Sequence, residues 1–97
     1  MKPTIQSVHF DADKKLIQFV EDKIAKLTQF YEGIIGVGVI LKLDKSSDNA
    51  NKIAEIKVKI SGKELFSERQ CSSFEEAVDL SADAIRTQLL KEKEKRQ

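Results

Sequence analysis

The sequence predicts a two-layer α+β fold in which one four-stranded sheet carries two helices on a single face, in the order βαβββα. Two stretches place apolar residues three and four positions apart, which is typical of amphipathic helices. Four other stretches are short and either alternate in polarity or are mostly apolar, which is typical of strands. Each helix and the sheet have one apolar face, and packing in two layers is the simplest way to bury these faces.

The first strand and the first helix are predicted from the N-terminal third of the chain. Lys2 to Val8 forms the predicted strand, and Pro3 confines it to a sheet edge or to the start of a strand. Asp13 occupies the N-cap position of the helix, and Gly33 follows its expected end as a C-terminal stop. The apolar stripe of the helix comprises Leu16, Ile17, Val20, Ile24, Leu27 and Tyr31.

Three further strands are predicted to form an antiparallel meander. Residues 37–43 suit a mostly buried strand, which the helical crossover should make parallel to the first. A polar loop from Asp44 to Asn51 precedes residues 54–60, where apolar and charged side chains alternate as in a strand with one wet face. Ser61-Gly62 is a predicted tight turn, after which Lys63 to Cys71 returns as the last strand.

The final helix is predicted from Ser73 to Arg96. Ser73 and Glu76 have the spacing of a capping box. No apolar residue follows Leu90, so the last turns should project into solvent or onto a partner. The apolar stripe comprises Phe74, Ala77, Val78, Ser81, Ile85 and Leu89.

Size and composition indicate one domain without a membrane segment. The chain has 97 residues and a net charge of +1, and no apolar run approaches the roughly 18 residues of a membrane span. The N-terminus lacks the apolar core of a signal peptide. A single cysteine, Cys71, excludes an internal disulfide and suits a reducing cytoplasm, which is the expected location.

The residues that usually carry enzymatic chemistry are too few for an active site. His9 and Cys71 are each the only residue of their type, whereas nucleophilic catalysis and metal sites need several converging groups. The glycines are not followed by the Gly-Lys-Ser/Thr sequence of a phosphate loop. The sequence therefore predicts that the protein is not an enzyme, with no metal, no cofactor and no small-molecule substrate.

Basic residues are concentrated near the C-terminus. Residues 86–97 contain five basic and two acidic side chains, whereas residues 1–85 contain twelve basic and fourteen acidic ones. This local positive charge is expected of a protein that contacts phosphate through one edge.

Two groups of cations could form that edge. Lys23 and Lys26 are neighbours on the polar side of the first helix, and Arg86 and Lys93 lie two turns apart on the last one. Lys91, Lys95 and Arg96 are expected to surround that line. An ordinary solvated helix end, with lysines paired to glutamates, explains the same pattern equally well.

Five blocks of sequence resemble one family over essentially the whole chain. They are Leu16-Ile-Gln-Phe-Val20, Lys23-Ile-Ala-Lys-Leu27, Val39-Ile-Leu-Lys-Leu43, Phe74-Glu-Glu-Ala-Val-Asp79 and Gln88-Leu-Leu-Lys-Glu-Lys93. Their order and spacing resemble the short form of the ribosome hibernation-promoting factors. This sigma-54 modulation protein family includes ribosome-associated inhibitor A. The stretch Gln70-Cys-Ser-Ser-Phe-Glu-Glu-Ala resembles a variant found in Bacteroides-like bacteria.

The resemblance implies a fold similar to double-stranded-RNA-binding domains and a role in translation. It implies binding to ribosomal RNA in the small-subunit channel for messenger and transfer RNA, which blocks initiation and preserves idle ribosomes in stationary phase. It also implies a single ribosome-binding domain without the C-terminal dimerisation domain of long forms, monomeric when free. The predicted RNA-binding residues, from the charge pattern and the resemblance together, are Lys23, Lys26, Arg86, Gln88, Lys91, Lys93 and Lys95.

The chain differs from the family pattern at three positions of the last helix. Ala84 and Thr87 stand where the family usually has a lysine and an arginine, and Glu75 stands where it usually has an aromatic residue. Two other functions remain open. One is a general double-stranded-RNA-binding module. The other is a protein-interaction adaptor that docks a partner on the open sheet face through Lys42, Lys57 and Lys59.

Overall fold

The computed structural model describes residues 2–45 and 49–95 of the chain. It has the predicted order of elements and one four-stranded sheet, with strand order β1-β2-β3-β4. β1 runs parallel to β2, and β2, β3 and β4 form the antiparallel meander. The elements are β1 (Thr4–Val8), α1 (Lys14–Phe30), β2 (Ile34–Leu43), β3 (Lys52–Ile60), β4 (Lys63–Cys71) and α2 (Phe74–Lys95).

Local signals in the sequence set both ends of α1. The carboxylate of Asp13 accepts a hydrogen bond from the backbone N–H of Leu16 at 2.8 Å, so the predicted N-cap is confirmed. The helix ends at Phe30, because Tyr31 turns to an extended conformation while its N–H still donates to Leu27. The chain therefore leaves the helix before it reaches Gly33, which lies in the turn leading to β2.

The alternating strands place one apolar face of the sheet under the helices. Val39, Ile56 and Ser67 lie side by side across β2, β3 and β4, and all three are buried. Gly62 closes the predicted β3–β4 turn with a φ of +83°, a conformation that glycine adopts without steric cost. β1 is shorter than predicted, since pairing with β2 begins at Thr4, after Pro3.

α2 begins with the predicted cap, as the N–H of Glu76 donates to the hydroxyl of Ser73 at 3.1 Å. Its inner face carries Ser81, which is fully buried. The Ser81 hydroxyl donates to the carbonyl of Ala54 in β3, and the Ser81 carbonyl accepts from the hydroxyl of Ser67 in β4. These two bonds fix the position of α2 over the sheet, in addition to the apolar contacts from Ala77, Val78, Ala82, Ile85 and Leu89.

Parts of two predicted segments lie outside the described residues. They are Ser46 to Asp48 in the polar loop and Arg96 at the end of the last helix. No helix in the described part of the chain has the length and hydropathy that crossing a membrane requires.

Candidate nucleic-acid interface

A shallow groove of about 190 Å³ lies between the outer sides of α1 and α2. Three of the predicted RNA-binding cations, Lys23, Lys26 and Arg86, line it together with two carboxylates, Asp79 and Asp83. The groove exists because the buried stripes of both helices face the same core, which brings their flanking polar residues together. The three cations outnumber the two carboxylates, so the groove has a small net positive charge.

Lys23 is already paired within the groove. Its ammonium lies 2.6 Å from a carboxylate oxygen of Asp79 and 5.5 Å from the ring centre of Phe19, one turn earlier on α1. A phosphate that approaches Lys23 must therefore compete with Asp79. Lys26 is exposed, and no ion pair reaches it among residues 2–45 and 49–95.

Two cations of α2 meet the ring of Phe30 at the end of α1. The guanidinium carbon of Arg86 lies 4.6 Å from the ring centre and the ammonium of Lys93 lies 4.4 Å from it. Both distances are in the range of cation–π interactions. The Lys93 ammonium also donates to the backbone carbonyl of Phe30 at 3.1 Å, which satisfies one of the free carbonyls at the helix end.

The remaining predicted residues lie on another side of α2. The amide of Gln88 donates to the carbonyl of Phe66 in the edge strand β4, at 2.9 Å, so this side chain holds the helix to the sheet. The Lys95 ammonium lies 3.4 Å from the carboxylate of Glu92. Lys91 is exposed and, at 100° per residue, lies about 140° around the helix from Arg86. The structure thus divides the predicted set into a groove group, which lies on α1 or beside it, and an edge group on another side of α2. The groove group is Lys23, Lys26, Arg86 and Lys93, and the edge group is Gln88, Lys91 and Lys95.

Lys95 belongs to an ion cluster that joins α2 to the β3–β4 hairpin. Glu92 accepts hydrogen bonds from Lys63 at 2.9 Å and from Lys95 at 3.4 Å. The bond from Lys63 lowers the pKa of the Glu92 carboxyl below its ordinary value of 4.5, and the same bond raises the pKa of Lys63.

Sequence reasoning missed Phe19, Phe30, Asp79 and Asp83 as parts of this surface. Helical spacing could have found Phe19, which lies four residues before Lys23. The contact between Phe30 and Lys93 joins residues 63 positions apart, and periodicity within either helix carries no information about it. The two aspartates required knowing which side of α2 faces α1.

The open sheet face, which the adaptor alternative uses, has a mixed charge. Lys42 pairs with Glu55 and lies 3.9 Å from Glu68, and the bond to Glu55 raises the pKa of Lys42. Lys57 and Lys59 are exposed, and in the part of the chain that the structure describes no ion pair involves them. This face therefore carries two cations without an ion pair among the described residues. The groove does so too, but it lies on the opposite side of the sheet.

The described residues contain no cluster of three or more histidine, cysteine, aspartate or glutamate side chains that could hold a metal ion. His9 is exposed in the loop before α1, with a φ of +72°. Cys71 is partly buried, and burial raises the pKa of its thiol, which disfavours the reactive thiolate.

Comparison with known proteins identifies the family. A family model described as sigma 54 modulation protein / S30EA ribosomal protein matches residues 4–97. The chain belongs to this family. The predicted family is therefore confirmed, and membership of the S30EA family places the chain among non-enzymatic binding proteins.

Two curated relatives are similar over almost the whole chain. A ribosome hibernation promoting factor of Azotobacter vinelandii is 30% identical over 95 residues, which is 98% of this chain and 85% of that protein. A ribosome hibernation promoting factor of Pseudomonas putida is 29% identical over 97 residues, which is 100% of this chain and 91% of that protein.

Two solved structures have the same fold. The structure of a ribosomal subunit interface protein from Coxiella burnetii matches with a TM-score of 0.82 at 22% identity, over 96% of this chain and 98% of that one. The N-terminal domain of Thermus thermophilus Protein Y matches with a TM-score of 0.79 at 23% identity, over 92% and 96%. These matches confirm the two-layer βαβββα architecture.

Proposed function

We propose that this protein is a ribosome hibernation factor that binds ribosomal RNA of the small subunit through the groove between α1 and α2. In this role it acts in the cytoplasm and occupies the channel for messenger and transfer RNA in stationary phase. The names of its curated relatives, both ribosome hibernation promoting factors, support the hibernation role. The observation that supports the groove as the contact surface is the pair of exposed cations there, Lys26 and Arg86, on two different helices.

The geometry suits recognition of an RNA backbone rather than of bases. Lys26 and Arg86 line one groove from opposite sides, so a phosphate strand lying along it could contact both. Phosphate contacts supply affinity without sequence information, and shape recognition is the usual mode for structured RNA. Nothing in this role requires a reaction, only a rigid surface that excludes other ligands from the same RNA.

Three matched double charge reversals test the contact surface. The groove variant is K26E/R86E, the sheet-face control is K57E/K59E, and the edge variant is K91E/K95E. Each changes the net charge by the same amount on exposed side chains, so differences in binding report position. The measurement is co-sedimentation of each purified variant with small ribosomal subunits, after circular dichroism has confirmed that it is folded.

We expect K26E/R86E to weaken subunit binding about tenfold to a hundredfold, because two phosphate contacts become repulsive. K57E/K59E should bind like the wild type. K91E/K95E tests whether the RNA also extends over the edge group, as predicted for Lys91 and Lys95. Undiminished binding by K26E/R86E would contradict the proposed groove.

The two alternative functions are distinguished by changing the binding partner that is tested with the same proteins. A general double-stranded-RNA-binding module would bind a bare RNA duplex as tightly as small subunits. An adaptor that uses the open sheet face would lose its partner in K57E/K59E and retain it in K26E/R86E. A sucrose-gradient profile of stationary-phase cells, probed for this protein, would show directly whether it travels with ribosomal particles.

A further inference from the structure

We propose that Phe30 is a positioning residue that fixes Arg86 and Lys93 as a two-cation clamp for the phosphate backbone of RNA. This inference rests on the proposed function and deepens it, because it names an uncharged residue that organises the binding surface. Phe30 is the last residue of α1, whereas both cations belong to α2. The clamp is therefore built across the two helices that border the groove.

The contacts of the ring carry the argument. The guanidinium of Arg86 and the ammonium of Lys93 lie 4.6 Å and 4.4 Å from the centre of the same ring. The faces of an aromatic ring carry a negative potential, so one ring attracts both cations and offsets the repulsion between their like charges. Phe30 is itself partly buried against the core, so its ring is held in place.

Both cations keep donors available for a phosphate while they contact the ring. A guanidinium that lies over an aromatic face directs its N–H groups outward in its own plane, where phosphate oxygens can accept from them. The Lys93 ammonium has three donors and uses one on the Phe30 carbonyl. The clamp is thus charged, oriented and free to bind.

Orientation matters because Arg86 and Lys93 are long and flexible side chains on an exposed surface. Each would lose rotamer freedom when it binds a phosphate, and this loss weakens binding. A side chain already held against a ring has lost part of that freedom before the RNA arrives. Phe30 should therefore strengthen RNA binding without touching the RNA.

The variant that isolates the ring is F30L. Leucine preserves apolar packing at the end of α1 and leaves the backbone carbonyl that Lys93 uses, so only the aromatic face is lost. F30Y keeps the face and serves as the matched control. Because any change at Phe30 could act through stability, each substitution is also made in a background, R86Q/K93Q, that lacks both cations.

Binding is measured for two probes, small ribosomal subunits and a bare RNA duplex of about 16 base pairs, which is the span that a double-stranded-RNA-binding domain contacts. We expect F30L to weaken binding about threefold to tenfold and F30Y to bind like the wild type. In the R86Q/K93Q background, F30L should have no further effect, since the residues that it positions are absent. NMR should show the upfield shift of the Arg86 and Lys93 side-chain protons in wild type and F30Y, and its loss in F30L.

Two results would overturn the inference. One is unchanged binding of F30L to both probes. The other is an equal loss in wild-type and R86Q/K93Q backgrounds, which would assign Phe30 a purely structural role. If the wild type bound the duplex but not small subunits, and F30L weakened duplex binding only when both cations were present, the proposed function would fail and the clamp would stand. A wild type that bound neither probe would contradict both.

Discussion

Two buried serines make hydrogen bonds that stabilise the fold and fix the position of α2 over the sheet. Ser67 and Ser81 are buried among apolar side chains of the core, and each hydroxyl donates to a backbone carbonyl of another element. Buried hydroxyls are tolerated only when such bonds are made. Because the bonds join α2 to both β3 and β4, they favour one position of the helix over the sheet.

We predict that S81A destabilises the protein by about 1–2 kcal/mol. The substitution removes the donor to the Ala54 carbonyl without creating a large cavity, so the cost is mainly the lost hydrogen bond. Urea unfolding, followed by far-UV circular dichroism, measures the change in the free energy of unfolding. S61A, at an exposed turn position, is the control and should lie within about 0.5 kcal/mol of the wild type. An S81A variant as stable as the control would contradict this account of the buried bond.

At the scale of elements, the sequence predicted the features that depend on a single helix or strand. The caps Asp13 and Ser73 and both apolar helix stripes depend on spacings of three or four residues, and the structure confirms them. Relations between elements were harder to predict. The family resemblance implies that Gln88 contacts RNA. In the structure its amide donates to the Phe66 carbonyl of β4, and no local pattern reveals how close that strand lies to α2.

The candidate site was predicted in part for the same reason. The charge pattern identified the cations, but a helix has several polar sides and the sequence does not say which side a partner element covers. The packing of α1 on α2 brings the ring of Phe30 and the carboxylate of Asp79 to the cations. The same packing divides the basic residues of α2 into two groups.

The link between α2 and the β3–β4 hairpin should depend on pH. The pKa of Glu92 is lowered in the folded protein by its bond to Lys63, so the stabilisation is present in full above the ordinary value of 4.5 and is lost as the pH falls through the lowered pKa. We predict that E92Q is less stable than wild type at neutral pH. The difference between the two should shrink at acid pH, where Glu92 is protonated in both folded and unfolded states.

Thermal unfolding of E92Q and wild type from pH 7 down to pH 2 measures this difference. E94Q, on an exposed position of the same helix, is the matched control, because it removes the same charge without the bond to Lys63. Parallel stability curves for E92Q and wild type across the whole range would show that the ion cluster does not stabilise the fold.

At the scale of the whole molecule, the proposed function depends on the position of the charges rather than on the net charge. The net charge is only +1, yet the groove brings Lys23, Lys26 and Arg86 together from two helices. Asp79 and Asp83 reduce the field there, and Asp79 is paired with Lys23. The proposed binding of phosphate would thus be local to the groove, and a net charge close to zero limits unspecific association with other polyanions.

The pairing of Lys23 with Asp79 leads to a prediction about salt dependence. Binding to RNA releases one set of counterions per phosphate contacted, so the logarithm of the binding constant falls with the logarithm of salt by about 0.7–0.9 per contact. If Lys26, Arg86 and Lys93 make the contacts, the slope for small subunits should be about −2 to −3.

D79N frees Lys23 for a further contact, and we expect tighter binding at low salt with a slope steeper by about 1. K26Q should change the slope by a similar amount in the opposite direction. Titrations between 50 and 200 mM salt measure all three, with K57Q on the sheet face as the control. A slope that D79N and K26Q leave unchanged would show that the RNA does not enter the groove between the helices.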